Sequence, residues 1–183
     1  MKHIIAMLLA VVSVSASVAL VANAQTVLPP VVAKGASVTQ PTTETRGQGY
    51  AYFAPGLTSG EDPTIQIGGG GEAVFGNGVG VGADLSYLKL VEFRSYGGLG
   101  VASLNGSYHF LKATKSGKLV PFVTGGYSGF FRSGAYGNGF NYGGGINYWF
   151  HERVGLRVEF RDQIVVDSDT YRYAGVRVGV SFR

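Results

Sequence analysis

From Gly47 onward, apolar and polar residues alternate with a period of two, interrupted by short groups of turn residues. Alternation of this kind is typical of strands with one apolar face, because successive side chains point to opposite sides. Globular strands average about five to six residues, whereas a tilted strand needs about nine to eleven to cross a bilayer. The pattern predicts eight strands of 9–13 residues: Gln48–Gly56, Ile65–Phe75, Val79–Lys89, Gly98–Phe110, Leu119–Phe131, Gly139–Phe150, Val154–Gln163 and Tyr171–Phe182. Their length favours a membrane barrel over a soluble sandwich.

The residue types on the two faces of these strands predict which face lines the lumen and which faces lipid. In the seventh strand, Val154, Leu156, Val158 and Phe160 share one face. A water-exposed face usually carries many Lys and Glu, but here the polar positions hold small residues and isolated charges, which suits a narrow lumen. Three acids and three bases balance there: Glu72, Asp84, Arg157, Glu159, Arg161 and Arg177. We expect them to pair as a structural plug, because an eight-stranded barrel has room only for side chains; a narrow ion path is the alternative.

Composition supports a β-protein. Thirty of the 183 residues are glycine, none is cysteine, and 14% are charged against a typical value of about 25%. The absence of cysteine excludes a disulfide scaffold and a thiolate metal site. Glycine costs a helix interior about 1 kcal/mol relative to Ala, which argues against a helical bundle. The net charge of +4 comes from scattered Lys and Arg, so no nucleic-acid partner is expected.

The first segment has the features of a secretory signal peptide. Lys2 precedes an apolar run over Ile4–Leu20, and the A-x-A motif that ends at Ala24 predicts cleavage after that residue. Residues 25–46 are rich in Pro and Thr and have no aromatic residue, which predicts a disordered linker. The predicted organisation is therefore a signal peptide over 1–24, a linker over 25–46 and a barrel domain over 47–183.

The connections between strands and the aromatic residues also fit a membrane barrel. With a periplasmic N-terminus, 76–78, 112–118 and 151–153 would be periplasmic turns. The external loops would be Gly56–Thr64, Leu90–Gly97, Ser133–Asn138 and Asp167–Thr170, all short for a porin. Aromatic residues near strand ends predict the girdles that mark the two membrane interfaces: Tyr87, Tyr108, Phe110, Tyr148, Trp149, Phe150, Phe160, Tyr171 and Phe182.

The signal peptide, the eight alternating strands and the closing strand YRYAGVRVGVSF (171–182) resemble the OmpA/OmpX-like eight-stranded outer-membrane β-barrels of Gram-negative bacteria. Supporting segments are GGGGEA (68–73), GVGADLSY (80–87), NGSYHF (105–110), PFVTGGY (121–127) and NYGGGINYWF (141–150). The resemblance implies an all-β, up-and-down transmembrane barrel in the outer membrane, in contact with lipid and lipopolysaccharide. It also implies recognition of the C-terminal strand by the barrel assembly machinery, although Arg183 follows the aromatic Phe182 that usually ends such chains.

Candidate chemistry is sparse. Ser107 and His109 lie two residues apart on the predicted lumen face, and Glu72 or Asp84 is the nearest candidate for an orienting acid. Lipid hydrolysis would need a site on the lipid-facing wall, so we interpret this pair as polar plug residues. The G-x-G-x-x-A match at 68–73 lies inside a strand rather than before a helix, which argues against a dinucleotide site. His109 and His151 lack metal-ligand spacing, and no cofactor is expected.

The sequence therefore predicts a non-enzymatic outer-membrane barrel with a structural or surface-interaction role. Three alternatives stay open: a narrow pore, a lipid-modifying barrel enzyme, and a secreted soluble barrel that binds an apolar ligand inside. The soluble barrel would reverse the faces, with the aliphatic side chains turned inward and the charges outward.

Overall fold

The computed structural model describes residues 44–91, 97–166 and 170–183. The predicted signal peptide, its cleavage site at Ala24 and residues 25–43 of the predicted linker lie outside the described residues, so their assignment stays a prediction. Within the described ranges, no helix is both long enough and apolar enough to span a membrane.

Eight antiparallel strands close into one barrel, as the alternation predicts. Each strand pairs with the next along the chain, and β8 returns to pair with β1. The strands are β1 (Arg46–Thr58), β2 (Pro63–Val74), β3 (Val79–Leu90), β4 (Leu99–His109), β5 (Leu119–Arg132), β6 (Ala135–Trp149), β7 (Val154–Val166) and β8 (Thr170–Phe182). The predicted fold class, an all-β up-and-down barrel of eight strands, is confirmed.

The sequence prediction is wrong about two connections. Ser133–Asn138 is not a loop, because β6 begins at Ala135 and only Ser133 and Gly134 join it to β5. Gly134 has a φ of 80°, a conformation that glycine adopts without steric cost, and this makes the two-residue turn possible. The predicted loop Gly56–Thr64 also shrinks, because β1 continues to Thr58 and β2 begins at Pro63. The predicted loops Leu90–Gly97 and Asp167–Thr170 include residues outside the described ranges.

Most apolar side chains form the outer wall of the barrel, and most buried polar ones point inside. Val81, Ile67 and Phe160 are half-exposed on this wall, and Val158 has Leu156 and Phe160 beside it on the same face. A water-soluble fold would turn this face inward. The predicted inversion of polarity is therefore confirmed, and the orientation of side chains required for a soluble ligand-binding barrel is contradicted.

Two of the predicted girdle aromatics are placed differently. Trp149 points into the lumen and is buried, with the Arg183 guanidinium 4.2 Å from its ring centroid. Phe160 lies on the outer wall but at the centre of β7, because that strand continues to Val166. The remaining predicted aromatics are exposed on or beside the outer wall: Tyr87, Tyr108, Phe110, Tyr148, Phe150, Tyr171 and Phe182.

Glycine has a different role on each side of the wall, as two adjacent residues show. A Cβ atom added to the inward-facing Gly70 would lie 2.4 Å from the Ala83 carbonyl oxygen and 2.7 Å from the Asp84 Cβ. At the outward-facing Gly71, the nearest atom would be the Gln48 carbonyl oxygen at 3.5 Å, an ordinary contact distance. The narrow lumen therefore requires glycine at position 70, where a side chain would collide with the neighbouring strand.

The barrel has two ends, which we call terminal and distal. The terminal end carries Arg46, Phe182 and the turns before β3, β5 and β7, and the distal end carries the turns before β2 and β6. Near the distal end, Leu88, Val101 and Phe130 form an apolar layer inside the lumen. The charged residues lie between that layer and the terminal end, so side chains fill the lumen in successive layers.

Candidate functional site

The six charged residues predicted to face the lumen all point inward and are 1–9% exposed. Glu72 lies on β2, Asp84 on β3, and Arg177 on β8, while β7 supplies the other three at alternate positions. Closing the barrel brings these four strands around one axis. Residues up to 93 positions apart, as Asp84 and Arg177 are, therefore meet in a single cluster, which we call the lumen network: Glu72, Asp84, Arg157, Glu159, Arg161 and Arg177.

Glu159 is the hub of the lumen network. Arg157 donates from Nε to Glu159 Oε2 at 3.0 Å, and its Nη2 lies 2.9 Å from the same oxygen. Arg161 binds the other carboxylate oxygen and also donates to the side-chain oxygens of Asn105 and Asn141. One buried carboxylate thus pairs with two guanidinium groups, and its removal would leave Arg161 without a carboxylate in contact and Arg157 with Glu72 alone.

Glu72 forms a second centre, closer to the terminal end. Its Oε1 accepts from Arg157 Nη1 at 3.0 Å and from Gln48 Nε2 at 2.6 Å. Its Oε2 accepts from Ser107 Oγ at 2.8 Å and lies 3.1 Å from His109 Nε2. Arg157 therefore bridges the two glutamates and links β2 across the lumen to β7.

Asp84 and Arg177 are joined more loosely. Asp84 accepts from Tyr52 Oη at 3.3 Å and from Asn105 Nδ2 at 2.8 Å. Arg177 Nη2 lies 3.7 Å from Asp84 Oδ1, and its Nη1 lies 3.9 Å from Glu159 Oε1. These distances are too long for hydrogen bonds, so the two carboxylates attract Arg177 by charge without a hydrogen bond.

Aromatic rings complete the surroundings of two arginines, and sequence reasoning missed them. The Arg157 guanidinium lies 4.4 Å from the ring centroid of Tyr50 and 4.0 Å from that of Phe122. The Arg177 guanidinium lies 4.3 Å from the ring centroid of Tyr52. Such cation–π contacts offset part of the cost of burying a guanidinium. Alternation along β1 places Tyr50 and Tyr52 on one face and Phe53 on the other. Because both faces carry aromatic residues, the residue types in β1 do not indicate which rings line the lumen.

The arrangement around Ser107 does not match a nucleophile with its base. Ser107 Oγ and Glu72 Oε2 both contact the same His109 nitrogen, Nε2, at 3.2 Å and 3.1 Å. In a Ser-His-acid triad, the acid orients the histidine through the other ring nitrogen, Nδ1. All three groups also face the lumen rather than the lipid side.

No other chemistry is assembled in the described part of the chain. Among residues 44–91, 97–166 and 170–183, no group of three or more His, Asp or Glu side chains is placed to hold a metal ion. The G-x-G-x-x-A match at 68–73 lies within β2, where no helix follows it. The only predicted residues that the structure brings together are therefore the lumen network and the adjoining Ser107 and His109.

Comparison with known proteins identifies the fold. No family model matches the chain, and no curated protein matches it. Among solved structures, Neisserial surface protein A (NspA) superposes with a TM-score of 0.59 and 16% identity, covering 75% of this chain and 96% of NspA. The N-terminal β-barrel domain of Pseudomonas aeruginosa OprF superposes with a TM-score of 0.54 and 20% identity, covering 76% of this chain and 98% of that domain. The outer membrane protein OprG of the same species superposes with a TM-score of 0.51 and 13% identity, covering 76% of this chain and 97% of OprG.

These similarities extend over nearly the whole length of each matched barrel. At 13–20% identity they show a shared fold and do not transfer a function. The chain therefore has the fold of eight-stranded outer-membrane β-barrels, as the resemblance in the sequence implies.

Proposed function

We propose that the chain is an integral outer-membrane β-barrel with a structural or surface-interaction role, closed to solutes and without catalytic activity. The observation that carries this proposal is the polarity of the wall, with aliphatic and aromatic side chains outside and paired charges inside. A closed barrel leaves no strand edge with unpaired backbone N–H and C=O groups. Closed barrels and α-helices are the two backbone arrangements that can span a bilayer for this reason. Lipid and lipopolysaccharide are the surroundings that such a wall fits.

The lumen network is the proposed plug. Its three acids and three arginines lie at contact distances of about 4 Å or less, stacked between the apolar distal layer and the buried Trp149 near the terminal end. An ion that crossed would have to displace several of these pairs at once. The geometry therefore supports a plug over the narrow-pore alternative, and the contacts of His109 described above argue against the lipid-modifying enzyme.

The C-terminal strand keeps an outward-facing aromatic end for the proposed contact with the barrel assembly machinery. Phe182 is half-exposed on the outer wall, next to Gly49 of β1. Arg183 turns away from it, because its Nε donates to the Glu152 carbonyl oxygen at 2.9 Å while its guanidinium covers Trp149. The packing of Arg183 thus leaves the Phe182 side chain exposed on the outer wall for this proposed contact.

Planar bilayer recordings test the proposal. We expect the purified barrel to insert without current steps in molar KCl, because the lumen network leaves no continuous path for a hydrated ion. An open porin added to the same bilayer serves as the positive control. Current steps that become more frequent as more barrel is added would contradict the plug. If the Glu72→Gln substitution also changed their ion selectivity, the steps would establish the narrow pore.

A further inference from the structure

The two ends of the barrel differ in charge. At the terminal end, six basic and two acidic side chains of the described residues are all exposed: Arg46, Lys112, Lys115, Lys118, Arg153 and Arg183, with Glu44 and Glu152. Near the distal end, three basic and three acidic described residues balance: Lys89, Arg132 and Arg172, with Glu61, Asp62 and Asp162. Residues 25–43, which precede β1, contain no acidic residue. The terminal end therefore carries a surplus of four positive charges.

Half of these bases lie in the turn between β4 and β5, which we call the lysine turn: Lys112, Lys115 and Lys118. Within residues 44–91, 97–166 and 170–183, none of the three forms an ion pair with an acidic side chain. Gly117 N donates to the Thr114 carbonyl oxygen at 3.1 Å, and Thr114 Oγ1 donates to the Leu119 carbonyl oxygen at 3.2 Å. A hydrogen-bonded turn thus presents three charges that no acid among the described residues neutralises.

The lysine turn begins at the aromatic residues that mark the membrane interface. Phe110 is 45% exposed, and its ring packs edge-on against Tyr108, with the centroids 5.1 Å apart. Lys112 follows Phe110 by two residues, so no more than about 7 Å of chain separates them. Aromatic girdles lie at the level of the lipid headgroups. The lysines therefore lie at the depth of the lipid phosphates.

The remaining bases add to the same positive field. Burial and the nearby charge of Arg46 lower the pKa of Arg183, because both disfavour its charged form, and Glu152 opposes them with a smaller effect. Arg46 pairs with Glu44 at 2.9 Å, but both side chains are more than half exposed, and such pairs attract weakly. The acids at this end therefore leave most of its positive charge without a partner.

We infer that the terminal end is a docking surface for anionic phospholipid headgroups, with the lysine turn as its main contact. The inference rests on the proposed function, because this surface meets lipid only in a barrel that spans a bilayer. It adds a preference for one class of lipid in one leaflet. Clusters of lysine and arginine beside a membrane-spanning segment attract anionic lipids, and the phosphodiester supplies the negative charge that the lysine turn lacks. A phosphatidylcholine headgroup offsets its phosphate with its own ammonium group.

Spin-labelled lipids measure this preference on the folded, full-length barrel. The protein is reconstituted in phosphatidylcholine vesicles with a trace of spin-labelled phosphatidylglycerol or phosphatidylcholine, and the motionally restricted fraction of each label reports its association with the wall. One lysine near the surface favours an anionic lipid about fivefold. We expect phosphatidylglycerol to associate about twofold more strongly when averaged over the lipids of both leaflets. The preference should vanish in 1 M salt, where the screening length is about 3 Å.

Substitutions locate the contact. The triple variant Lys112→Gln, Lys115→Gln, Lys118→Gln should associate equally with the two lipids, and each single substitution should lower the preference. Lys89→Gln is the matched control for the single substitutions, because Lys89 is an exposed lysine two residues from the exposed Tyr87 at the distal end. That control should keep the preference of the wild type. The shift in gel migration on heating verifies that each variant is folded.

The outcomes separate this inference from the proposed function. A folded barrel that restricts neither label would overturn the proposed function and, with it, the inference. Equal restriction of both lipids by the wild type would overturn the inference alone. A preference for phosphatidylglycerol that survives 1 M salt, or that the triple variant keeps, would also overturn it, because the lysine turn would then not be the contact.

Discussion

Replacing Glu159 with Gln is expected to destabilise the barrel by about 3–5 kcal/mol, the usual cost of breaking a buried ion pair from one side. The change keeps the size of the side chain and removes its charge. Arg157 would then keep Glu72 as its one carboxylate partner among these contacts, and Arg161 would keep only the neutral partners Asn105 and Asn141. Urea unfolding in detergent micelles, followed by the shift in gel migration between folded and heated protein, measures the loss.

Glu152→Gln is the matched control for this prediction. Glu152 lies in the exposed turn between β6 and β7, so the same chemical change removes a solvated charge. Surface ion pairs contribute about 0–1 kcal/mol to the free energy of unfolding, so the control should unfold at nearly the same urea concentration as the wild type. Equal effects of the two substitutions would contradict the role of Glu159 as hub of the lumen network.

Val158→Arg is expected to cost about 2–4 kcal/mol, because it places a charge near the bilayer midplane on the outer wall. Val158 is the chain neighbour of Glu159 but faces the opposite side of the strand, where it is 39% exposed. Unfolding from lipid vesicles in urea measures the effect, because detergent micelles adapt to a new charge more easily than a bilayer.

Val166→Arg provides the matched control on the same strand and the same face. Val166 ends β7, roughly 26 Å along the strand from Val158 at about 3.3 Å per residue. Near the membrane interface the same charge costs about 0–1 kcal/mol. If position 166 were as sensitive as position 158, the outer wall would not follow the depth profile of a bilayer.

The alternation of residue types predicted the number of strands and the faces of their central residues, but not every strand boundary. Val154 to Arg161 alternate without interruption, and each residue points where the pattern places it. The start of β6 was missed because Gly137 and Asn138 are typical turn residues. The strand includes them because Gly137 pairs with Phe130 and Asn138 with Gly129 on β5, and Tyr136 Oη lies 2.8 Å from Tyr127 Oη across the same pair of strands.

The sequence also predicted the members of the lumen network but not their partners. Which acid meets which arginine depends on barrel closure, as the contact of Arg157 with Glu72 across the lumen shows. Alternation with the outward-facing Tyr148 places Trp149 on the lumen face, and closure brings Arg183 over its ring, although an aromatic at a strand end suggested a membrane interface. Local pattern therefore predicts the side on which a residue lies, and its contacts come from the assembled barrel.

A spin label on Val158→Cys tests most directly whether the outer wall meets lipid. The chain has no cysteine, so one substitution gives one label, and Glu152→Cys provides an exposed control. In vesicles we predict that the label at 158 collides readily with oxygen and rarely with a water-soluble nickel chelate, with the reverse at 152. Ready collision with the chelate at 158, or shielding from both reagents, would contradict the membrane-spanning barrel.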